Sequence, residues 1–261
     1  MRPDPASAIV GRLRAAGCVF AEDEARLLTA HAASTGELDK LVARRVDGEP
    51  LEQILGWAEF RGLRIVLEPG VFVPRRRTEL LARQAIAAAH DGAVVVDLCC
   101  GSGAVGAAIM ATLERVELHA TDLDPTAVHC ARRNLPAGAS VYVGDLDEPL
   151  PRRLRGRVDV LVANTPYVPS GEVGRLPPEA RLHEPRLALD GGTDGLDVAR
   201  RVVAAASRWL APGGSVLIES SEQQASDLAE TVVAHGLTPR IVRADETGAT
   251  VVIGTLAVGD A

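Results

Sequence analysis

The chain has 261 residues, 47% of them hydrophobic and 24% charged, which suffices for one full-sized domain plus a small second one. A formal net charge of -7 disfavours direct nucleic-acid binding, which needs a basic face to neutralise phosphates. No run reaches the length of a membrane span, and the N-terminal segment lacks the apolar stretch of a signal peptide, so a cytoplasmic protein with no membrane contact is expected.

The four cysteines, Cys18, Cys99, Cys100 and Cys130, show no metal-ligand spacing. Reduced thiols and no metal site are the expectation.

Residues 5 to about 47 carry apolar residues at three- and four-residue spacing: Ile9 and Leu13, Ala25 and Leu28, then Leu38, Leu41 and Val42. This predicts a small helical unit. Ser34-x-x-Glu37 predicts a capping box opening its third helix. Phe60–Leu67 alternates weakly around Gly62 and predicts a short hairpin between two domains. The expected division is residues 1–56, a helical docking domain; 57–77, a hairpin linker; and 78–261, the larger domain.

From Thr78 onward strand and helix patterns alternate. Strands are predicted at Ala93–Asp97, Glu117–Thr121, Ser140–Gly144, Val158–Ala163, Ser215–Glu219 and Val251–Leu256. Helices are predicted at Gly103–Leu113, Pro125–Asn134, Leu196–Leu210 and Gln223–His235. Continuous apolar strands between helices indicate an α/β fold with a parallel sheet covered on both faces. Two final strands, about 238–243 and 249–256, are expected to form an antiparallel edge pair. Two basic clusters, Arg75–Arg77 and Arg152–Arg157, are expected to be solvated.

Val94–Gly106 reads as buried strand, glycine turn and helix start. Glycines let a ligand approach the backbone, and the helix N-terminus offers free N–H groups. Gly101-x-Gly103-x-x-Gly106, followed by Asp122 after the second strand, suits any adenosine ligand. Alone it does not separate NAD from S-adenosylmethionine. Three features favour the latter. Asp97 ends the first strand, where it could face a sulfonium and an amino group. Asp145 and Leu146 end the third, where an acid could meet an adenine edge. Asn164-Thr165-Pro166-Tyr167 follows the fourth. The expected cofactor set is therefore Asp97, Cys99, Cys100, Gly101, Ser102, Gly103, Asp122, Asp145, Leu146 and Asn164.

The tetrapeptide fits methyl transfer to a planar nitrogen. Such a nitrogen has a delocalised lone pair and is a weak nucleophile. Two acceptors aimed at its N–H bonds hold it and favour pyramidal geometry. The Asn164 amide oxygen and the residue 165 carbonyl can serve, and Tyr167 can pack on the flat group. Asn164, Pro166 and Tyr167 are the expected catalytic residues, and all four residues, Thr165 included, the expected substrate contacts.

Together these motifs resemble the protein-(glutamine-N5) methyltransferases that modify peptide release factors. The resemblance spans roughly residues 49 to 256. It covers Gly48–Gly56 with Phe60-x-Gly62, Val73-Pro74-Arg75-Arg76-Arg77-Thr78-Glu79, Asp97–Gly103, Glu184–Leu196, and Leu210–Gly214 with Glu219. It implies a class I methyltransferase domain, a Rossmann-like seven-stranded sheet preceded by a helical bundle, with S-adenosylmethionine as donor. It also implies a protein partner whose glutamine amide, in a release factor's Gly-Gly-Gln loop, accepts the methyl. Three departures stand out: Thr165 replaces a proline, Cys99-Cys100 a Gly-Thr, and Arg76-Arg77 a Pro-acid pair. A different acceptor, an adenine amino group or a small-molecule amide, is the alternative. A cofactor-binding partner module without catalysis is a third reading.

Overall fold

The computed structural model describes residues 5–258; the outer ends of the expected first and last domains, 1–4 and 259–261, lie outside the described residues. The chain opens with α1 (Pro5–Ala15), α2 (Ala21–His31), α3 (Thr35–Val46) and the short α4 (Leu51–Leu55). Leu13, Leu28 and Val42 are fully buried between them. Ser34 Oγ accepts from the Glu37 N–H at 3.2 Å, as the capping box requires. The return bond differs: Glu37 Oε2 accepts from Ala33 N–H at 2.7 Å, one residue before the expected donor. Arg45 joins α3 to α2 through Glu24 (2.6 Å) and also pairs with Glu179, far along the chain.

β1 (Trp57–Phe60) and β2 (Leu63–Val66) form the expected hairpin. Arg61 and Gly62 both have positive φ, 51° and 75°, as a two-residue hairpin turn demands.

The larger unit continues with α5 (Glu79–Ala88), β3 (Val94–Leu98), α6 (Ala104–Thr112), β4 (Glu117–Asp122), α7 (Pro125–Asn134), β5 (Ser140–Val143) and β6 (Val158–Ala163). It ends with α8 (Pro178–His183), α9 (Asp197–Trp209), β7 (Leu210–Ser220), α10 (Ala225–Ala234), β8 (Leu237–Ala244) and β9 (Ala249–Leu256). Asn134, at the end of α7, docks the hairpin. Its Oδ1 accepts from Val66 N–H, and its Nδ2 donates to the carbonyls of Val66 and Ser102, each at 2.8 Å.

The sheet order is β5-β4-β3-β6-β7-β9-β8, seven strands. The first five strands run parallel, and β9 is antiparallel to both neighbours. Val94, Val96 and Leu98 point to one face, against α9 and α10. Val95 points to the other, against α5 and α6. Burial on both faces explains why these strands read as unbroken apolar runs. The outer strand β8 exposes Thr238, Pro239, Arg240 and Arg243.

Helices α5 and α8 are additions to the predicted elements, and two predicted elements start elsewhere than expected. β7 starts at Leu210, directly after α9, so Pro212-Gly213-Gly214 lies inside it, beside a register shift at Val158/Val160. Helix α6 starts at Ala104, because Gly103 takes a left-handed φ of 77° and caps it.

Candidate active site

One cavity of about 710 Å³ opens where β3, β4 and β6 end, the place where open α/β sheets bind ligands. Asp97, Cys99, Cys100, Gly101, Ser102, Asp122, Asp145, Leu146 and Asn164–Tyr167 all line it. Gly103 does not; it lies behind the wall, where a Cβ would come within 3.2 Å of Ala131.

The glycine turn is held by acids. Asp97 Oδ2 accepts from Gly106 N–H at 3.2 Å. Asp122 Oδ2 accepts from Gly101 N–H at 2.8 Å, and its Oδ1 from Asp124 N–H at 2.9 Å. Asp145 makes an ion pair with Arg201 at 2.8 Å, so its expected place at an adenine edge is shared with a guanidinium. Cys99 is not extended. It takes φ 57°, and Leu146 takes φ 48°. Two non-glycine residues in this conformation on one cavity wall mark a locally strained site.

Burial pushes the Asp97 carboxyl up to about 7, opposed by the Gly106 N–H and reinforced by Asp122. Burial also raises Asp122. It raises the Cys99 thiol too, and the charges of Asp122, Asp97 and Asp145 add to that rise. The cavity floor gathers three carboxyls, Asp97, Asp122 and Asp145, the last paired with Arg201. It would repel the pyrophosphate of a dinucleotide. It fits a ligand carrying a sulfonium and an ammonium group, as S-adenosylmethionine does. Asp97 and the backbone at Gly101 would hold it, with Asp122 at its ribose.

The opposite wall is the Asn164–Tyr167 loop. Asn164 Nδ2 donates to Thr78 Oγ1 at 3.4 Å. Neither Asn164 Oδ1 nor the Thr165 carbonyl accepts a hydrogen bond among the described residues. Thr165 itself is buried, its hydroxyl without a partner among the described residues. Tyr167 is pushed up to about 12 by burial first and by Glu219 second, against Arg77 and Arg75.

Later residues clamp this loop. The Val168 N–H donates to Leu189 O at 2.9 Å, and Gly191 N–H to Val168 O at 2.8 Å. Gln224 Nε2 donates to Tyr167 O at 2.9 Å and to Asp194 O at 2.8 Å. A Cβ at Gly191 would sit 2.6 Å from Pro166 O, and one at Gly195 would collide with Tyr167 O. The Glu184–Leu196 stretch thus brackets the loop backbone, a contact that its sequence did not announce.

The basic cluster Arg75–Arg77 is not merely solvated. Arg75 pairs with buried Glu184 at 2.5 Å and lies over Phe72. Arg77 approaches buried Glu219 at 3.5 Å and lies over the Tyr167 ring at 5.5 Å. Thr78, Arg77, Glu219 and Gln224 surround the site although none of them is in the expected site set. Arg77, Thr78 and Glu219 lie in segments that carry the family resemblance, whereas Gln224 lies only in a predicted helix.

Residues 62–175 match the Methyltransferase small domain family. A release factor glutamine methyltransferase of Geobacter sulfurreducens is 38% identical over 82% of this chain and 75% of its own length. A 4-amino-L-phenylalanine/4-methylamino-L-phenylalanine methyltransferase of Streptomyces pristinaespiralis is 36% identical over 87% of this chain and 85% of its own. Among solved structures, a methyltransferase of Pyrococcus furiosus shares the fold, with a TM-score of 0.58 at 16% identity, over 83% of this chain and 98% of its own. Fold, cavity and relatives agree: the chain belongs to the release factor glutamine methyltransferase family, an S-adenosylmethionine-dependent N-methyltransferase of class I α/β fold.

Proposed function

We propose that this enzyme methylates the side-chain amide nitrogen of a protein glutamine, the Gly-Gly-Gln glutamine of a peptide chain release factor. The observation that carries this reading is the pair of uncommitted acceptors at the cavity, Asn164 Oδ1 and the Thr165 carbonyl. Two acceptors match the two N–H bonds of a primary amide. S-adenosylmethionine, when bound, supplies a methyl group already activated by a sulfonium. The chain then has to bind, align and desolvate the nitrogen. Asn164 and Thr165 hold its hydrogens, Pro166 stiffens the turn, and Tyr167 covers the flat amide. Alignment of this kind supplies most of the rate in a reaction with a preactivated donor.

The helices of residues 1–56 form a docking unit for that protein partner, and residues 57–77 link it to the transferase domain. No helix among the described residues is long and apolar enough to cross a membrane, which accords with a cytoplasmic enzyme.

The decisive experiment is transfer of labelled methyl from S-adenosylmethionine into a release factor, with a Gln→Ala control in its Gly-Gly-Gln loop. Incorporation that depends on the glutamine supports the reading; no incorporation removes this acceptor. A second reading has two supports. The Streptomyces relative is named for an aromatic amine, and this chain replaces the family's first loop proline with Thr165. Free 4-aminophenylalanine is therefore the second acceptor to assay.

A further inference from the structure

We propose that Glu219 is a positioning residue for the acceptor pocket, anchoring Tyr167 directly and setting the Asn164 amide through the Thr78 hydroxyl. The proposal rests on the reading that Asn164 and Tyr167 hold the acceptor.

Asn164 directly follows β6 and Glu219 lies near the end of the adjacent β7, for Ala163 of β6 is in register with Ile218 of β7. The Glu219 side chain is 3% exposed and does not line the cavity, whereas Thr78, Arg77 and Tyr167 do. Neither carboxyl oxygen has a well-aligned hydrogen bond among the described residues. Thr78, Arg77 and Tyr167 are the groups that lie against it. A buried carboxyl in this state demands donors. Two hydroxyls, on Thr78 and Tyr167, are at hand to supply them.

The consequence for Asn164 follows from hydrogen-bond inventory. Thr78 Oγ1 already accepts from Asn164 Nδ2. A hydroxyl has one proton, and the unpartnered Glu219 carboxyl beside it is the acceptor that needs that proton. Thr78 is thereby fixed as an acceptor toward Asn164. The amide cannot turn over without facing its oxygen to a hydroxyl lone pair. Nδ2 stays inward, and Oδ1 is the atom offered to the cavity. An inverted amide would present N–H groups to the N–H groups of the substrate and abolish the clamp. Arg77, 3.5 Å from Glu219 and stacked over Tyr167, closes the assembly from the solvent side.

Three variants test this. Thr78→Val keeps the volume and removes the hydroxyl. Thr78→Ser keeps the hydroxyl and loses a methyl. Glu219→Leu removes the buried acceptor. With the release factor as acceptor, Thr78→Val is expected to lower kcat at least about tenfold. Its KM and its S-adenosylmethionine affinity should stay within about threefold of wild type, and Thr78→Ser should recover turnover to within about threefold. Independently of any acceptor, solvent exchange of the Asn164 side-chain amide protons, read by NMR on the protein alone, should accelerate in Thr78→Val and Glu219→Leu but not in Thr78→Ser. A mere packing role predicts the reverse ranking, Val tolerated and Ser harmful, and that ranking overturns the proposal. Unchanged Asn164 exchange in Glu219→Leu also overturns it. If wild-type enzyme transfers no methyl to the release factor, the acceptor assignment fails, and the exchange measurement still decides the positioning role.

Discussion

The two walls of the cavity are built in different ways. The donor wall, Asp97–Gly106, is one continuous strand–turn–helix, and most of its hydrogen bonds close within about two dozen residues along the chain: Gly106 to Asp97 and Gly101 to Asp122. The acceptor wall, Asn164–Tyr167, is held from a distance, by Thr78 on one side and by Gly191, Gly195 and Gln224 on the other. A wall that carries its own geometry can serve many methyltransferases unchanged. A wall assembled from remote segments can be retuned from any of them.

That contrast can be broken most severely at Asn164. Asn164→Ala is expected to lower kcat by about 10² to 10³-fold, with S-adenosylmethionine affinity within about threefold of wild type. Steady-state rates and calorimetry check this, and full turnover would remove the amide clamp. Next comes Gly195→Ala, whose new methyl collides with the Tyr167 carbonyl. A displacement of this kind should reduce kcat about 10²-fold and again spare donor affinity. If donor binding fell equally, the two walls would not be separable.

On the donor wall the expected effect is smaller and depends on pH. The Asp97 carboxyl stands at about 7 in the folded protein against 3.8 in a free side chain. A cationic ligand favours its ionised form. Affinity for S-adenosylmethionine should therefore rise about tenfold from pH 6 to pH 8, with a proton released on binding. Calorimetry in two buffers of different ionisation enthalpy reads that proton. The free protein runs the other way. A carboxyl raised on folding contributes stability below pH 3.8, and this contribution is lost as pH rises through about 7. Asp97→Asn should flatten both trends. The smallest effect is at Cys99, which holds φ 57° where the family more often has glycine. Cys99→Gly relieves about 1 kcal/mol of left-handed strain and adds similar freedom to the unfolded chain. The melting temperature should move by less than about 4 °C; a larger fall would mean that the thiol packs the turn in place.

The same contrast explains what could be read before the structure. The strands β3, β4, β6 and β9 announce themselves because both faces are buried. The glycine turn is visible because its chemistry is local. Helix α5 is silent in the sequence because its alanines and leucines carry no cap signal, and Thr78 before it makes no side-chain cap. The tetrapeptide was legible as chemistry but not as architecture. Nothing in Asn164-Thr165-Pro166-Tyr167 tells that Gln224 holds the Tyr167 carbonyl, or that Arg77 lies on its ring. Arg75 and Arg77 read as solvated in the sequence because their partners, Glu184 and Glu219, lie more than a hundred residues away. Composition shows a basic cluster and cannot show that buried acids answer it.

The outer strand β8 has a consequence of its own. A sheet of such apolar strands would, at a bare margin, invite a neighbouring molecule to add its own strand. Here the margin carries Pro239, which lacks an N–H, and the exposed cations Arg240 and Arg243. Such a border is a poor template for intermolecular pairing. At this edge a valine-rich sheet can therefore end in water without offering a ready partner for another strand.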